Sequence, residues 1–230
     1  MNYKYLIAEK KADFEKLQAF GFVPSPGGEQ IFQFVTEYQN ISLHFFYKNG
    51  DFYAAAFDND TKEQFLPFEL KTAKGSFVFE LKDFALNTAQ KIAESCFIST
   101  SLKQTVLDYA QNNYGTILQN PWNDENITLN KICGKKQKWY GLVMCVKRKN
   151  IGEKDENLKE AAIDVMNVKA PPEKIEKIVD YRTVFPAYHM NKKHWCTVNV
   201  NNTDSEVLDS IIKISFDITA SKKKSAKVKN

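Results

Sequence analysis

The run Trp139-Tyr140-Gly141-Leu142-Val143-Met144-Cys145-Val146 constrains the fold of this chain more than any other stretch. It is apolar at odd and even positions alike, so an extended chain here has no face to offer water. The run therefore reads as a central strand of a sheet covered on both sides. Its flanks are basic: Lys131, Lys135, Lys136 and Lys138 precede it, and Lys147, Arg148 and Lys149 follow. No acid occurs from Asn126 through Gly152. Strand ends need solvation and edge protection, which lysine supplies. A local rim without counter-charge also suits anion binding. The two flanks lie at opposite ends of the strand, so they need not form one patch.

Around that strand the chain reads as an α+β domain. Ser99, Thr100 and Ser101 are N-cap candidates for a helix to about Asn112. Leu118–Asn126 is read as a loop in which Trp122 is a packing anchor. Strands are expected over Ile127–Cys133, Lys138–Val146, Ala161–Lys169 and His194–Val200, with a charged insertion at Asn150–Lys159. Pro171-Pro172-Glu173 opens a helix to about Val179, and proline fits its first turn. Asp204 or Ser205 caps a last helix that buries Val207, Leu208, Ile211, Ile212 and Ile214. The expected order is α-β-β-β-α-β-α, a sandwich with helices on one face of an antiparallel sheet.

The first half reads differently. Met1–Ala8 is a candidate strand, and Glu9–Phe20 a helix that Gly21 can cap. Pro24-Ser25-Pro26-Gly27-Gly28 is a turn or loop. Ile31–Tyr38, Ile41–Tyr47 and Phe52–Ala56 form an antiparallel meander, with Asn49-Gly50-Asp51 a hairpin turn. Ser76–Leu81 reads as a further strand and Phe84–Cys96 as a helix. The many aromatics of the meander fit a buried face better than a base-stacking one, because few basic residues stand beside them. His44, between Leu43 and Phe45, reads as a strand histidine. Three segments result: an N-terminal α+β domain at 1–97, a second domain at 98–220, and a lysine-rich tail at 221–230 with disordered composition.

The stretch Phe185–Val198 carries the densest chemistry. It contains two of the three histidines, one of the three tryptophans and a Lys-Lys pair. As structure it needs only a turn, with Pro186 fixing φ, Asn191 tolerating a left-handed conformation, and Trp195 opening a strand with its ring in the core. As function, Tyr188, His189, Asn191, Lys192, Lys193 and His194 make a cationic, donor-rich surface suited to phosphate.

The pattern Pro186-x-Tyr188-His189-x-Asn191-Lys192-x-His194-Trp195, then a strand, then a polar helix with Ser215 near its end, resembles the MmcQ/YjbR family of small bacterial proteins. The resemblance runs from Leu102 to Thr219 and is strongest from Val165 to Phe216. It includes Val168-Lys169 before Pro172-Glu173, and Thr197–Val200 leading into Ser205–Phe216. It implies a CyaY-like (double-wing) α/β sandwich and a DNA-binding role. Phe216 departs from the tyrosine that the family commonly shows after serine.

Charge refines these readings. Residues 1–98 carry 10 basic and 13 acidic side chains, residues 99–220 carry 17 and 15, and the tail adds five lysines. Only Arg148 and Arg182 are arginines. Bidentate guanine readout favours arginine, so phosphate contact is expected over sequence-specific reading. The scattered Cys96, Cys133, Cys145 and Cys196 read as reduced and cytoplasmic, with Cys145 a buried thiol. No apolar run approaches a membrane span.

Enzyme chemistry has little support. His189 and His194 are five apart, unsuited to a helical or strand metal pair. Cys196, two residues from His194, could share a strand face with it, but nothing supplies an oxyanion hole. No glycine-rich phosphate loop is present, and neither a cofactor nor a metal is expected. Two classes of function remain: a DNA-binding module using Lys135, Lys136, Lys147, Arg148, Lys149 and the loop residues, or a protein- or small-anion-binding module whose N-terminal domain recruits a partner. A continuous basic face from Lys192-Lys193 to Lys147–Lys149 favours the first. A small pocket of Tyr188, His189 and Lys192 favours the second.

Overall fold

The computed structural model describes residues 1–25 and 31–219. The Pro26–Gly28 part of the first loop and the tail at 221–230 lie outside the described residues. The chain divides into two compact units, Met1–Thr100 with Glu153–Ala162, and Ser101–Gly152 with Ile163–Asn230.

The first unit begins with a 3-10 turn at Lys4–Leu6, where a strand was expected. Within Met1–Ala8, Asn2 makes an isolated bridge to Tyr53. Then come β1 (Lys10–Ala12), α1 (Phe14–Phe20), β2 (Val23–Pro24), β3 (Phe32–Tyr38), β4 (Ile41–Lys48), β5 (Asp51–Asp58), α2 (Ser76–Ser95) and β6 (Phe97–Ser99). The helix expected over Glu9–Phe20 starts late because Asp13 caps it, its carboxylate accepting from the Lys16 N–H at 3.2 Å. The residues before the cap pair with β6 instead, Ala12 opposite Phe97.

The three strands of the meander are β3, β4 and β5, and β2, which takes in Pro24 from the expected loop, adds a fourth in the antiparallel order β2-β3-β4-β5. Leu43, Phe45, Phe52 and Ala54 point into its core. His44 sits half-buried on the other face, against the Phe57 ring, with Nδ1 2.7 Å from Gln33 Nε2.

The expected strand at Ser76–Leu81 is wrong. Those residues form the first turns of α2, since Val78, Leu81, Ala85, Ala89 and Ile92 share one buried face at helical spacing. The local Phe-Val-Phe favours strand, and the longer period overrides it.

The second unit contains α3 (Lys103–Tyr114), β7 (Ile117–Gln119), β8 (Ile127–Cys133), β9 (Lys136–Lys147), β10 (Ala162–Lys169), α4 (Pro172–Ile178), β11 (Val184–Pro186), β12 (Trp195–Asn199) and α5 (Ser205–Ile218). One sheet runs β11-β12-β10-β9-β8-β7, with β9 central and the helices α+β-fashion on one side. Two short strands, β7 and β11, add to the expected order. On the helix-bearing face Leu129, Tyr140, Val143, Met166, Val168, Cys196 and Val198 pack against Val106, Leu107 and Ala110 of α3 and Leu208, Ile211 and Ile212 of α5. On the opposite face Leu142, Met144, Val146, Ile163 and Val165 are covered by Ile151, Tyr188 and Met190. Both faces of β9 are thus occupied, although Cys145, expected buried, is exposed. Val207, expected in the core, also faces out.

A β-bulge interrupts β9. Leu129 pairs with Gly141 and Asn130 with Trp139, so Tyr140 is the extra residue. Its ring enters the helix-side core. Its carbonyl accepts a hydrogen bond from Ser215 Oγ of α5, and Ser215 Oγ in turn accepts from the Lys169 N–H at 2.8 Å.

Candidate functional site

The loop between β11 and β12 is fixed to the sheet from beneath. Thr197 Oγ1 donates to Asn167 Oδ1 and accepts from the Tyr188 N–H at 2.8 Å, while Asn167 Nδ2 donates to the Tyr188 carbonyl at 2.8 Å. This closed ring is buried and satisfies every group it uses. Tyr188 is held half-buried over the face opposite the helices, its ring centroid 4.0 Å from that of His189. His189, not Asn191, takes the left-handed conformation, with φ of 55°. Asn191 instead turns the chain: its Oδ1 accepts from the Lys193 N–H at 2.9 Å, and its carbonyl accepts from the N–H groups of His194 and Trp195, both at 3.0 Å.

At the loop's entry, Asp180 folds the chain over its own carboxylate. Burial alone would raise its pKa. Hydrogen bonds from Thr183 Oγ1 and from the N–H groups of Val184, Arg182 and Thr183 outweigh that and hold it well below the usual carboxylate range.

The result is a display of exposed groups: His189, Asn191, Lys192, Lys193 and His194 all face solvent. Trp195 does not enter the core. It alternates with buried Cys196 and stands half-buried on the other face, with the Lys169 ammonium 5.1 Å from its ring centroid. Cys196 is packed among the helix-side core residues, and burial pushes its thiol up to about 12. It remains a neutral thiol near pH 7 and is no nucleophile.

Register locates the remaining basic residues. Trp195 pairs with Lys169, and Lys169 Nζ donates to the Trp139 carbonyl. Lys135 and Lys136, at the β8–β9 hairpin, therefore share one end of the sheet with Lys192, Lys193 and His194. With only β10 between them, β9 and β12 are about 10 Å apart. Lys169 is partly buried there, and burial followed by the nearby Lys138 charge lowers its pKa. Lys131 lies at the same end, its ammonium 3.6 Å from the Phe216 ring centroid and 3.1 Å from the Phe216 carbonyl. The residue that departs from the family pattern thus serves as a cation–π face and as packing for Tyr114 and Tyr140.

Lys147, Arg148 and Lys149 are elsewhere. Lys147 closes the other end of β9, about 37 Å of extended chain from Lys136, and Arg148 and Lys149 follow it. Lys192-Lys193 is therefore at the same end of the sheet as Lys135–Lys138, and Lys147–Lys149 is at the other. None of Lys135, Lys136, Lys192 and Lys193 has an ion-pair partner among the described residues, and the sequence carries no acid from Tyr181 through Thr203.

Reading the sequence alone missed Lys169 as a member of this group, and took Trp122 for a packing anchor. Trp122 is 49% exposed and meets, edge-on at 5.7 Å, the ring of Trp139, itself 39% exposed. Among the described residues no helix is long and apolar enough to cross a membrane, and no three His, Cys, Asp or Glu are placed to hold a metal ion.

Comparison with known proteins bears on this half of the chain. Residues 113–218 match the YjbR family. The protein YyaQ of Bacillus subtilis is 29% identical over 118 residues, 51% of this chain and 97% of that protein. A crystal structure of a Pseudomonas syringae protein is 32% identical over 51% of this chain and 97% of its own, with a TM-score of 0.46. A solution NMR structure from the same organism is 31% identical, covering 53% and 94%, also with a TM-score of 0.46. The C-terminal part of the chain, which carries the Tyr188–His194 loop and its basic neighbours, belongs to the YjbR/MmcQ-like family.

Proposed function

We propose that the YjbR-like domain is a DNA-binding, non-enzymatic module that holds the phosphate backbone at one end of its sheet. The observation that supports this reading is the register that brings Lys135, Lys136 and Lys138 to the same end of the sheet as Lys192, Lys193 and His194, without an acid in either segment. These groups stand on an exposed turn and a hairpin, a geometry suited to a polymer lying across them. Lysine is a point charge without the fork that reads bases, so contact is to phosphate and depends little on sequence. Lys147, Arg148 and Lys149 are outside this surface. Any partner of the N-terminal unit would be a separate matter.

The test is a salt titration of duplex and single-stranded oligonucleotide binding, made on protein ending at Ala220 so that the five tail lysines do not contribute. Log affinity should fall linearly with log salt, with a slope of about −0.9 per neutralised phosphate. Lys192→Gln with Lys193→Gln, or Lys135→Gln with Lys136→Gln, should each shallow the slope by up to about 2, and Lys147→Gln with Lys149→Gln should leave it unchanged. Absence of salt-sensitive binding near physiological ionic strength would remove the nucleic-acid reading in favour of a small-anion or protein-partner one.

A further inference from the structure

All three tryptophans of the chain fall into one connected group on the second unit. Trp122 lies edge-on to Trp139. The Trp139 carbonyl holds the Lys169 ammonium, and that ammonium also faces the Trp195 ring. Trp139 pairs with Asn130 and so shares the sheet face of Leu142, opposite the helices. Trp195, alternating with Cys196, is on that same face.

Tryptophan gains more from burial than any other side chain, yet Trp122 and Trp139 leave 49% and 39% of their surface in water. Packing alone accounts poorly for this. Trp122 is not on a loose tip either, because its turn is internally bonded: the Asp124 N–H donates to Asn120 Oδ1 at 3.3 Å and the Asn126 N–H to Asp124 Oδ1 at 2.8 Å. The second of those bonds, with one from Asn126 Nδ2 at 2.6 Å, engages the Asp124 carboxylate. The rings are thus presented on ordered backbone, with the Lys169 ammonium held at the Trp139 carbonyl and Trp122 joined to it through Trp139.

We infer that Trp122 and Trp139, with Trp195 beside Lys169, form a stacking platform for the bases of a single-stranded nucleic acid whose phosphates run along Lys135–Lys138 and Lys192–Lys193. This rests on the phosphate-binding reading above and narrows it. A duplex hides its base faces, whereas a single strand can place successive bases on exposed indoles while lysines track the backbone. Stacking tolerates any base, in keeping with the absence of arginine from this surface.

The full chain tests this without any substitution. Oligothymidylate should quench tryptophan emission, whereas heparin, a polyanion without bases, should bind but leave the emission unchanged. In anisotropy titrations, single strands should bind more tightly than a duplex of equal length. Trp139→Ala and Trp122→Ala should each weaken the single strand by roughly 5- to 100-fold, at an unaltered salt slope and with duplex affinity unchanged. If oligothymidylate and duplex bind equally, with tryptophan emission unmoved, the platform is wrong and the phosphate-binding surface stands alone. If neither polymer binds, both readings fall together.

Discussion

The buried ring Thr197–Asn167–Tyr188 is the smallest unit on which the exposed loop depends. Thr197→Val keeps the shape of the side chain but leaves the Tyr188 N–H without its acceptor. A buried amide left unpaired costs about 1–3 kcal/mol, so the urea midpoint should drop accordingly, and the Tyr188 amide should exchange faster than the sheet around it. Asp180 works at the loop's other end and adds a pH dependence. Its folded pKa is depressed, so its contribution is fully present above the unfolded value of about 4 and is lost as pH falls towards the folded one. Asp180→Asn removes that term. The variant should be less stable than the parent at pH 5, with the gap narrowing by pH 3 in parallel urea titrations. The sequence showed Tyr188, His189 and Lys192 as a cluster, but not which residue would bend. Asn191 is the usual left-handed residue, yet its side chain was needed for the turn at Lys193, and the strain passed to His189.

Among the elements, α5 is pinned where the sheet is irregular. The bulge at Tyr140 frees a carbonyl from the β8–β9 ladder, and Ser215 Oγ satisfies it while accepting from Lys169 of β10. One hydroxyl therefore joins a helix to two strands at complete burial. Ser215→Ala should cost about 1–3 kcal/mol, since it strands two backbone groups, and calorimetry should show the loss as a lower Tm without a change in cooperativity. Most elements were legible because their apolar period was long and their ends were marked, as in β9, β10, α4 and the meander. The failures share a cause. At Ser76–Leu81 six residues of strand-like composition belong to a twenty-residue helix whose period emerges only over the whole element. β7 and β11, three residues each, are edge strands defined by their partners rather than by a pattern of their own. Trp122, expected as a packing anchor, is half exposed instead, because its place beside Trp139 depends on a loop path and a bulge.

For the whole molecule, each unit has an apolar core that closes on itself. A cut after residue 97 would take β6 from its partner β1, so the experiment is better made at Ser101. We expect residues 101–220, with 153–162 replaced by a short Gly-Ser turn, to unfold in one sharp urea transition; a broad or aggregating profile would mean that the chain folds as one body. The same ten residues have a consequence for synthesis. They group with Met1–Thr100, but the ribosome delivers them only after Ser101–Gly152. At about 5–20 residues per second, the first unit waits roughly 3–12 seconds for its last piece while β8 and β9 are already emerging. The N-terminal unit of this chain is begun first but completed only after Ser101–Gly152 of the second has been made.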